Sequence, residues 1–291
     1  MKKVSIIGCG KVGKTIGYLL AKKANCDIKG ILNKSFSSSK SAIKFIGMGY
    51  ACKNYKELIR SNLWLISTQD SLISNVCQTL VNHEKLSRGD IVIHFSGTLN
   101  SGALYSAKEM GCFIGSLHPI KSFADPKISV STFKGTYCAY EGDKQAFSVI
   151  KRLCKKIGAK IFKINRKTKS SYHIGNIFAS NYLISLLKIS YNLYYRSGVK
   201  KEYILDIIHS LSSSTLTNIK KCRSLDMSIT GPIQRGDINI IKNHINFLKS
   251  TPSLLVLYRI LGLKLISNQY NKNIEKLLSF NKNLLKTFDI K

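Results

Sequence analysis

Through the first half of the chain, short apolar runs alternate with longer segments in which apolar residues recur every three or four positions. Val4–Gly8 reads as a strand, and Lys11–Lys23 as a helix with Val12, Ile16, Leu19 and Leu20 on one face. Ile28–Asn33 is a second strand, followed by a Ser-rich turn and a helix near Lys40–Met48. A short extended piece, Tyr50–Cys52, precedes a helix that starts near Tyr55. Leu63–Ser67, Ile91–Phe95 and Cys112–Leu117 are further strands, with a helix near Leu72–Asn82 and another before Cys112. Nearly continuous apolar strands alternating with helices predict an α/β doubly wound parallel sheet. Gly135–Tyr140, a helix near Lys144–Ile157 and Ala159–Ile164 extend it. After Asn165 strand-like runs vanish, and helical patterns cover 168–196, 201–212, 237–248, 252–267 and 272–288. The expected organisation is an α/β domain over 1–165 and an all-α helical domain over 166–291, with no internal repeat and no disordered tail.

The first strand runs directly into Gly8-Cys9-Gly10-Lys11-Val12-Gly13, a G-x-G-x-x-G turn that opens a helix. In that context the motif marks a Rossmann dinucleotide site. Gly8 serves the tight turn, Gly10 lets backbone approach a pyrophosphate, and Gly13 lets the helix pack on the strand. Phosphate then meets the free N–H groups and positive end of the helix, so Gly8, Cys9, Gly10, Lys11, Val12 and Gly13 are cofactor candidates. A glycine-rich turn without ligand is the bland alternative. NAD-preferring folds carry a carboxylate at the end of the second strand. Here that strand ends Leu32-Asn33-Lys34-Ser35, with no carboxylate until Glu57. Asn33 suits a ribose hydroxyl, while Lys34 and Ser35 suit a 2′-phosphate. NADP is the favoured cofactor. Against this, Lys34 could be one more surface lysine.

Ligands of open α/β sheets bind beyond the carboxyl ends of the strands. Polar clusters stand at three such ends: Ser67-Thr68-Gln69-Asp70, His94-Phe95-Ser96-Gly97-Thr98 and His118-Pro119-Ile120-Lys121. Ser67, Thr68, Gln69, Ser96 and Gly97 are read as cofactor contacts, and Thr98 and Lys121 as substrate contacts. His118 could bond an anionic substrate or donate a proton; His94 could touch ligand or only cap backbone. The helical region opens with Lys169, His173 and Asn176 at i, i+4 and i+7, hence on one face. Asn181 could serve the same cleft from a neighbouring angle. Lys169, His173, Asn181 and His118 are the catalytic candidates, and Asn176 a substrate contact. Helix–helix hydrogen bonding is the competing account of that stripe. Arg235 could clamp a carboxylate or pair with Asp237.

The formal net charge is +31. Lysines are spread over both halves without a basic tail, so compositional background is favoured over polyanion binding, and no nucleic-acid role is expected. The eight cysteines form no C-x-x-C pair and have no His partners at zinc spacing, so neither a disulfide framework nor a metal site is expected. No apolar run reaches the length of a membrane span, and the apolar stretch after Lys3 is too short for a secretory signal, so a cytoplasmic protein is expected.

Together, Gly8–Gly13, the His94–Thr98 stretch, Leu117-His118-Pro119, the Tyr172–Asn181 helix and Gly231-Pro232 with Arg235-Gly236-Asp237 resemble a family of bacterial Rossmann oxidoreductases with a helical second domain. That family is related to 6-phosphogluconate dehydrogenase, pyrroline-5-carboxylate reductase and the β-hydroxyacid dehydrogenases. One group within it looks like an alternative ketopantoate reductase. The resemblance implies an NADPH-dependent reductase of a small 2-oxo acid, 2-dehydropantoate in particular, and a homodimer. In the usual ketopantoate reductases a lysine on the first helix of the helical domain donates the proton, and Lys169 is the nearest candidate. Asn181 would orient the carbonyl, and Arg235 or Lys121 would hold the carboxylate. The alternatives are another NADP-dependent oxidoreductase of this fold, acting on an imine or β-hydroxyacid, and a catalytically silent NADP-binding regulatory protein.

Overall fold

The computed structural model describes residues 1–266 and 272–279. Its sheet has eight strands: β1 (Lys3–Ile7), β2 (Asp27–Leu32), β3 (Tyr50–Cys52), β4 (Leu63–Ile66), β5 (Ile91–His94), β6 (Phe113–Pro119), β7 (Tyr137–Gly142) and β8 (Lys160–Lys163). Their order is β3-β2-β1-β4-β5-β6-β7-β8. Every neighbouring pair is parallel except β6 with β7, where Ser116 lies opposite Glu141 and His118 opposite Ala139. The doubly wound sheet is therefore present, with one antiparallel junction that the apolar runs did not reveal.

Six helices accompany the strands: α1 (Lys11–Lys23), α2 (Phe36–Ile46), α3 (Ile73–Asn82), α4 (Tyr105–Glu109), α5 (Pro126–Ser131) and α6 (Lys144–Lys156). Strands buried on both faces need apolar residues at consecutive positions. In β4, Leu63 and Leu65 join a core completed by α1, α2 and α6, while Trp64 and Ile66 join one completed by α3 and α4. Two local expectations change. The Ser-rich stretch after Lys34 is already helix, because Ser35 caps α2 by accepting the Ser38 N–H; the helix ends at left-handed Gly47. Conversely, Tyr55–Glu57 forms only a 3₁₀ turn. The Asn54 side chain accepts the Glu57 N–H, Glu57 accepts the Lys53 N–H, and buried Leu58 turns extended toward β4.

Beyond β8 the chain is helical: α7 (Lys169–Ile177), α8 (Leu183–Arg196), α9 (Lys201–Cys222), α10 (Pro232–Arg235), α11 (Ile238–Leu248), α12 (Pro252–Leu265) and α13 (Lys272–Leu278). The rest of the helix read over 272–288 lies outside the described residues. Two compact units result, Met1–Ser185 and Leu186–Lys291. The change from strand to helix comes where the apolar pattern changes, but α7 belongs to the sheet's unit. Between α7 and α8, Phe178–Tyr182 is a π turn. Helix α9 continues through Ser212-Ser213-Ser214-Thr215, a run that looked like its end. Thr215 and Thr217 donate to the carbonyls of Leu211 and Ser213, which places their hydroxyls without breaking the helix. The second unit packs its own core from Ile241, Ile245, Leu248, Leu255, Ile274 and Leu278.

All eight cysteines are free, and only Cys222 is exposed. Burial pushes the Cys9 and Cys112 thiols up to about 12. Among the described residues no helix is long and apolar enough to cross a membrane, and no cluster of His, Cys, Asp and Glu is suited to a metal.

Candidate active site

Strand order reverses between β1 and β4, and a doubly wound sheet opens its ligand crevice at such a point. The glycine turn stands there, between the end of β1 and the end of β4. Gly8 has φ +78°, and a Cβ on it would come 2.4 Å from Thr68 Cγ2 and 2.7 Å from the Thr68 nitrogen. A Cβ on Gly13 would press at 3.3 Å on Cys9 Sγ and Ser67 Oγ. At Gly10 nothing lies within 4 Å. A Cβ is thus excluded at Gly8, crowded at Gly13 and unopposed at Gly10, so packing does not account for Gly10 whereas a closely approaching ligand would. Helix α1 starts with no side-chain cap, so the Lys11, Val12 and Gly13 N–H groups have no side-chain acceptor. The buried Thr68 hydroxyl also lacks a partner. These are features of a cradle for an anionic group.

Asn33 holds this turn in shape. Its Oδ1 accepts the Cys9 N–H at 2.5 Å, and its own N–H donates to Ser39. Cys9 is correspondingly not free for a phosphate: its N–H is taken by Asn33 and its thiol is buried. Lys34 and Ser35 are exposed at the start of α2, with the Ser35 hydroxyl bonded to those of Ser37 and Ser38. Gln69 is exposed and opens the 3₁₀ turn after β4.

A second group of side chains gathers where β5, β6 and α7 meet. A Cβ on Gly97 would lie 2.6 Å from His173 Cδ2 and 3.0 Å from His118 Nε2. Two imidazoles therefore flank a position that tolerates only glycine, with ring centroids 6.3 Å apart. His118 Nδ1 lies 2.7 Å from the Tyr172 hydroxyl, and His173 Nδ1 lies 3.2 Å from the Thr98 hydroxyl. Burial, helped by His173 and Lys169, pushes His118 down to about 4, so its ring is neutral near pH 7. Asn176 lies one turn further along α7. Its amide nitrogen is buried near the Tyr172 phenol without a hydrogen-bond partner.

Beneath this pair is an ion pair. Lys169 Nζ donates to Leu99 O and Ser116 Oγ and lies 3.4 Å from Glu141 Oε1, both charged side chains being nearly fully buried. Glu141 also accepts the Ser101 N–H at 2.6 Å and the Ser101 hydroxyl at 2.8 Å. Burial lowers the Lys169 pKa, and Glu141 opposes that shift. With three acceptors around it, the ammonium is committed to fixing the loop between Ser96 and Ser101. Ser96, read as a cofactor contact, also serves that loop. Its hydroxyl donates to Asp70 at 2.6 Å and accepts the N–H groups of Thr98 and Leu99. His94 caps backbone, with Nε2 near Asn100 O and Nδ1 accepting the Ser96 N–H, and burial holds it down to about 3.

Other candidates take different partners. Lys121 donates to Thr132 O at the end of α5. Arg235, in the second unit, pairs with Asp237 at 2.9 Å, the local alternative its sequence allowed. Asn181 lies in the π turn, exposed, and accepts from Ser180. Sequence reasoning assigned no role to Glu141 or Tyr172, and placed Asp70 only as part of the polar cluster after β4. A carboxylate inside the apolar run Tyr137–Gly142 was the available signal for the first.

Two family profiles match the chain: a Rossmann-like domain over residues 1–119, and a domain of unknown function, DUF2520, over residues 136–265. No curated protein sequence matches it. Among solved structures, protein TM1727 of Thermotoga maritima is similar over 94% of this chain and 98% of its own, at 25% identity and a TM-score of 0.71. The Plasmodium falciparum pyrroline carboxylate reductase with NADP bound is similar over 95% and 97%, at 14% identity and a TM-score of 0.58. An imine reductase from a Pseudomonas species is similar over 95% and 91%, at 14% identity and a TM-score of 0.62. The shared property is the fold, a Rossmann-like sheet followed by a helical region.

Proposed function

We propose that the chain is an NADPH-dependent reductase of a small 2-oxo acid, with 2-dehydropantoate as the substrate. The observation that carries the cofactor half is Gly10, a residue in the phosphate-cradling turn that packing does not require. Two solved relatives in fold, one a pyrroline carboxylate reductase with NADP bound and one an imine reductase, support the same reading. The absence of a carboxylate after β2, with Lys34 and Ser35 exposed there, favours the 2′-phosphate form.

When bound, the nicotinamide supplies hydride to the substrate carbonyl. The protein supplies the proton and the positioning. His173, held through Nδ1 by Thr98, keeps Nε2 available to donate to the developing alkoxide. His118 is neutral and bonded to Tyr172, which suits it to orient the carbonyl rather than to carry charge. The unpartnered amide of Asn176 is a third polar group for the substrate. Lys169, the proton donor implied by resemblance, becomes a positioning residue in this scheme, because its ammonium is enclosed.

Oxidation of NADPH, followed by its absorbance, tests the proposal with 2-dehydropantoate and pyrroline-5-carboxylate offered in parallel. Turnover of the first alone supports it. Turnover of the second alone replaces the 2-oxo acid by an imine, and tight NADPH binding with no turnover of either leaves a silent binding protein. Gly10→Ala is expected to keep the parent melting temperature, since nothing lies within 4 Å of a Cβ there. It should weaken NADPH binding at least tenfold, or about 1.4 kcal/mol.

The second unit leaves Leu205, Leu211, Leu216, Leu225, Met227 and Phe247 exposed. Apolar exposure on this scale marks an interface, and the reading adopted is a homodimer formed by this unit. Light scattering on purified protein is expected to give twice the chain mass of 32.6 kDa. Leu211→Glu should shift it toward the monomer.

A further inference from the structure

A cavity of about 570 Å³ lies toward the end of β6 away from His118. Ile114 lines it. Four residues separate Ile114 from His118, about 13 Å along a strand. The cavity is therefore a different place from the histidine pair. Its volume suits a small organic molecule.

The charge around it is unbalanced. Lys144, Lys163 and Arg166 line the cavity, and among the described residues none of the three has a carboxylate within ion-pair distance; the Lys163 ammonium lies 4.3 Å over the Phe147 ring, which leaves Lys144 and Arg166 to the cavity. The two acids on its wall are already used. Glu141 pairs with Lys169, and Asp143 accepts from Lys108 and the Ile114 N–H. Asp143 consequently spends nothing on capping α6, although it stands at the N-cap of that 13-residue helix. Arg166 is brought close by Gly102, where a Cβ would meet Nη2 at 2.1 Å. A bulkier residue there would push the guanidinium away from the wall. Exposed Tyr105 supplies apolar surface beside these cations. Uncompensated cations around a concave, partly aromatic pocket recognise an anion that carries an apolar body.

We propose that this cavity binds a phosphorylated small molecule, with Arg166 and Lys144 holding the phosphate and Tyr105 covering the organic part. The site is independent of the reductase reading and stands or falls without it.

Equilibrium dialysis of the full chain against phenyl phosphate, at physiological salt, tests this with and without saturating NADPH. The expected result is one site per chain, undisturbed by NADPH and tighter for phenyl phosphate than for inorganic phosphate. The paired change Arg166→Ala with Lys144→Ala should weaken it at least tenfold. Arg166→Gln provides a second, milder variant in case the pair perturbs folding, which the melting temperature reports. Lys220→Ala with Lys221→Ala removes the same charge from the end of α9 and should change nothing. Equal weakening by both pairs would mean diffuse attraction to a basic protein and would overturn the proposal. Displacement by NADPH would assign the phosphate to the glycine turn and overturn it as well, as would absence of binding.

Discussion

Glu141→Leu is expected to cost the sheet unit about 3–5 kcal/mol, the range found when one partner of a buried ion pair is removed. The Lys169 ammonium would stay enclosed by Leu99 O and Ser116 Oγ with no counter-charge, and the Ser101 N–H and hydroxyl would lose their acceptor. For a unit of this size the melting temperature should fall on the order of 10 °C. Replacing both partners, Glu141→Leu with Lys169→Met, should recover much of the loss, because an apolar pair leaves no buried charge. The pH dependence has a definite sign. Burial already holds the Lys169 pKa below its unfolded value of 10.5, and Glu141 works against that shift. Without Glu141 the folded value falls further, so the unfolded chain binds more protons from there up to 10.5. Stability of the single variant should therefore rise as pH is raised through that window, more steeply than in the parent. Urea unfolding followed by circular dichroism at pH 7 and 9.5 measures both effects. A single variant within 1 kcal/mol of the parent, or a double variant no better than the single, would remove the ion pair from this account.

The same pair shows where sequence reading stops. Lys169 was legible as part of a polar helical stripe, and its i, i+4, i+7 partners do share a face of α7. What decides its chemistry is Glu141, 28 residues earlier, and that meeting depends on β7 running antiparallel to β6 so that Glu141 lies opposite Ser116. Local pattern gives strands but not the direction of the last ones. The glycine turn was readable because all of its physics is local: a strand, a positive φ at Gly8, and a helix start. At the Asn33–Lys34–Ser35 end of β2 the sequence offered cofactor candidates, but the grip of Asn33 on the Cys9 N–H needed the two strand ends to be side by side. The π turn left no trace in Phe178-Ala179-Ser180-Asn181-Tyr182, which has no Gly or Pro. Residues five apart are about 140° apart on an α-helix, and i→i+5 bonding narrows that angle, so the placement of Asn181 relative to Asn176 could not come from a regular period. Arg235 is the opposite case, since its partner two residues away was among the readings the sequence left open.

His173→Ala is the change expected to affect reaction rate most. The ring is half-buried, pairs with the Thr98 hydroxyl and stands edge-on to His118, and carries no part of the Lys169–Glu141 network, so the fold should survive its removal. If its Nε2 delivers the proton, kcat should fall about 10²- to 10⁴-fold, the range for losing a general acid, while the affinity for NADPH stays within about twofold. Loss of transition-state stabilisation alone, without loss of binding, is what separates this role from a structural one. Added imidazole should restore part of the rate in His173→Ala, because the truncated side chain leaves a space of matching shape beside Gly97. It should do nothing for Lys169→Met, whose ammonium is enclosed and has no solvent path to replace. His118 behaves differently again. Already neutral above about pH 5, it contributes no titration to the rate between pH 6 and 8, so the His118→Asn variant should lower kcat without moving the pH midpoint. A His173→Ala enzyme that keeps its rate within threefold, while Lys169→Met loses it with the fold intact, would return the proton to the lysine and require the Lys169 ammonium to leave Ser116 and Glu141 during turnover.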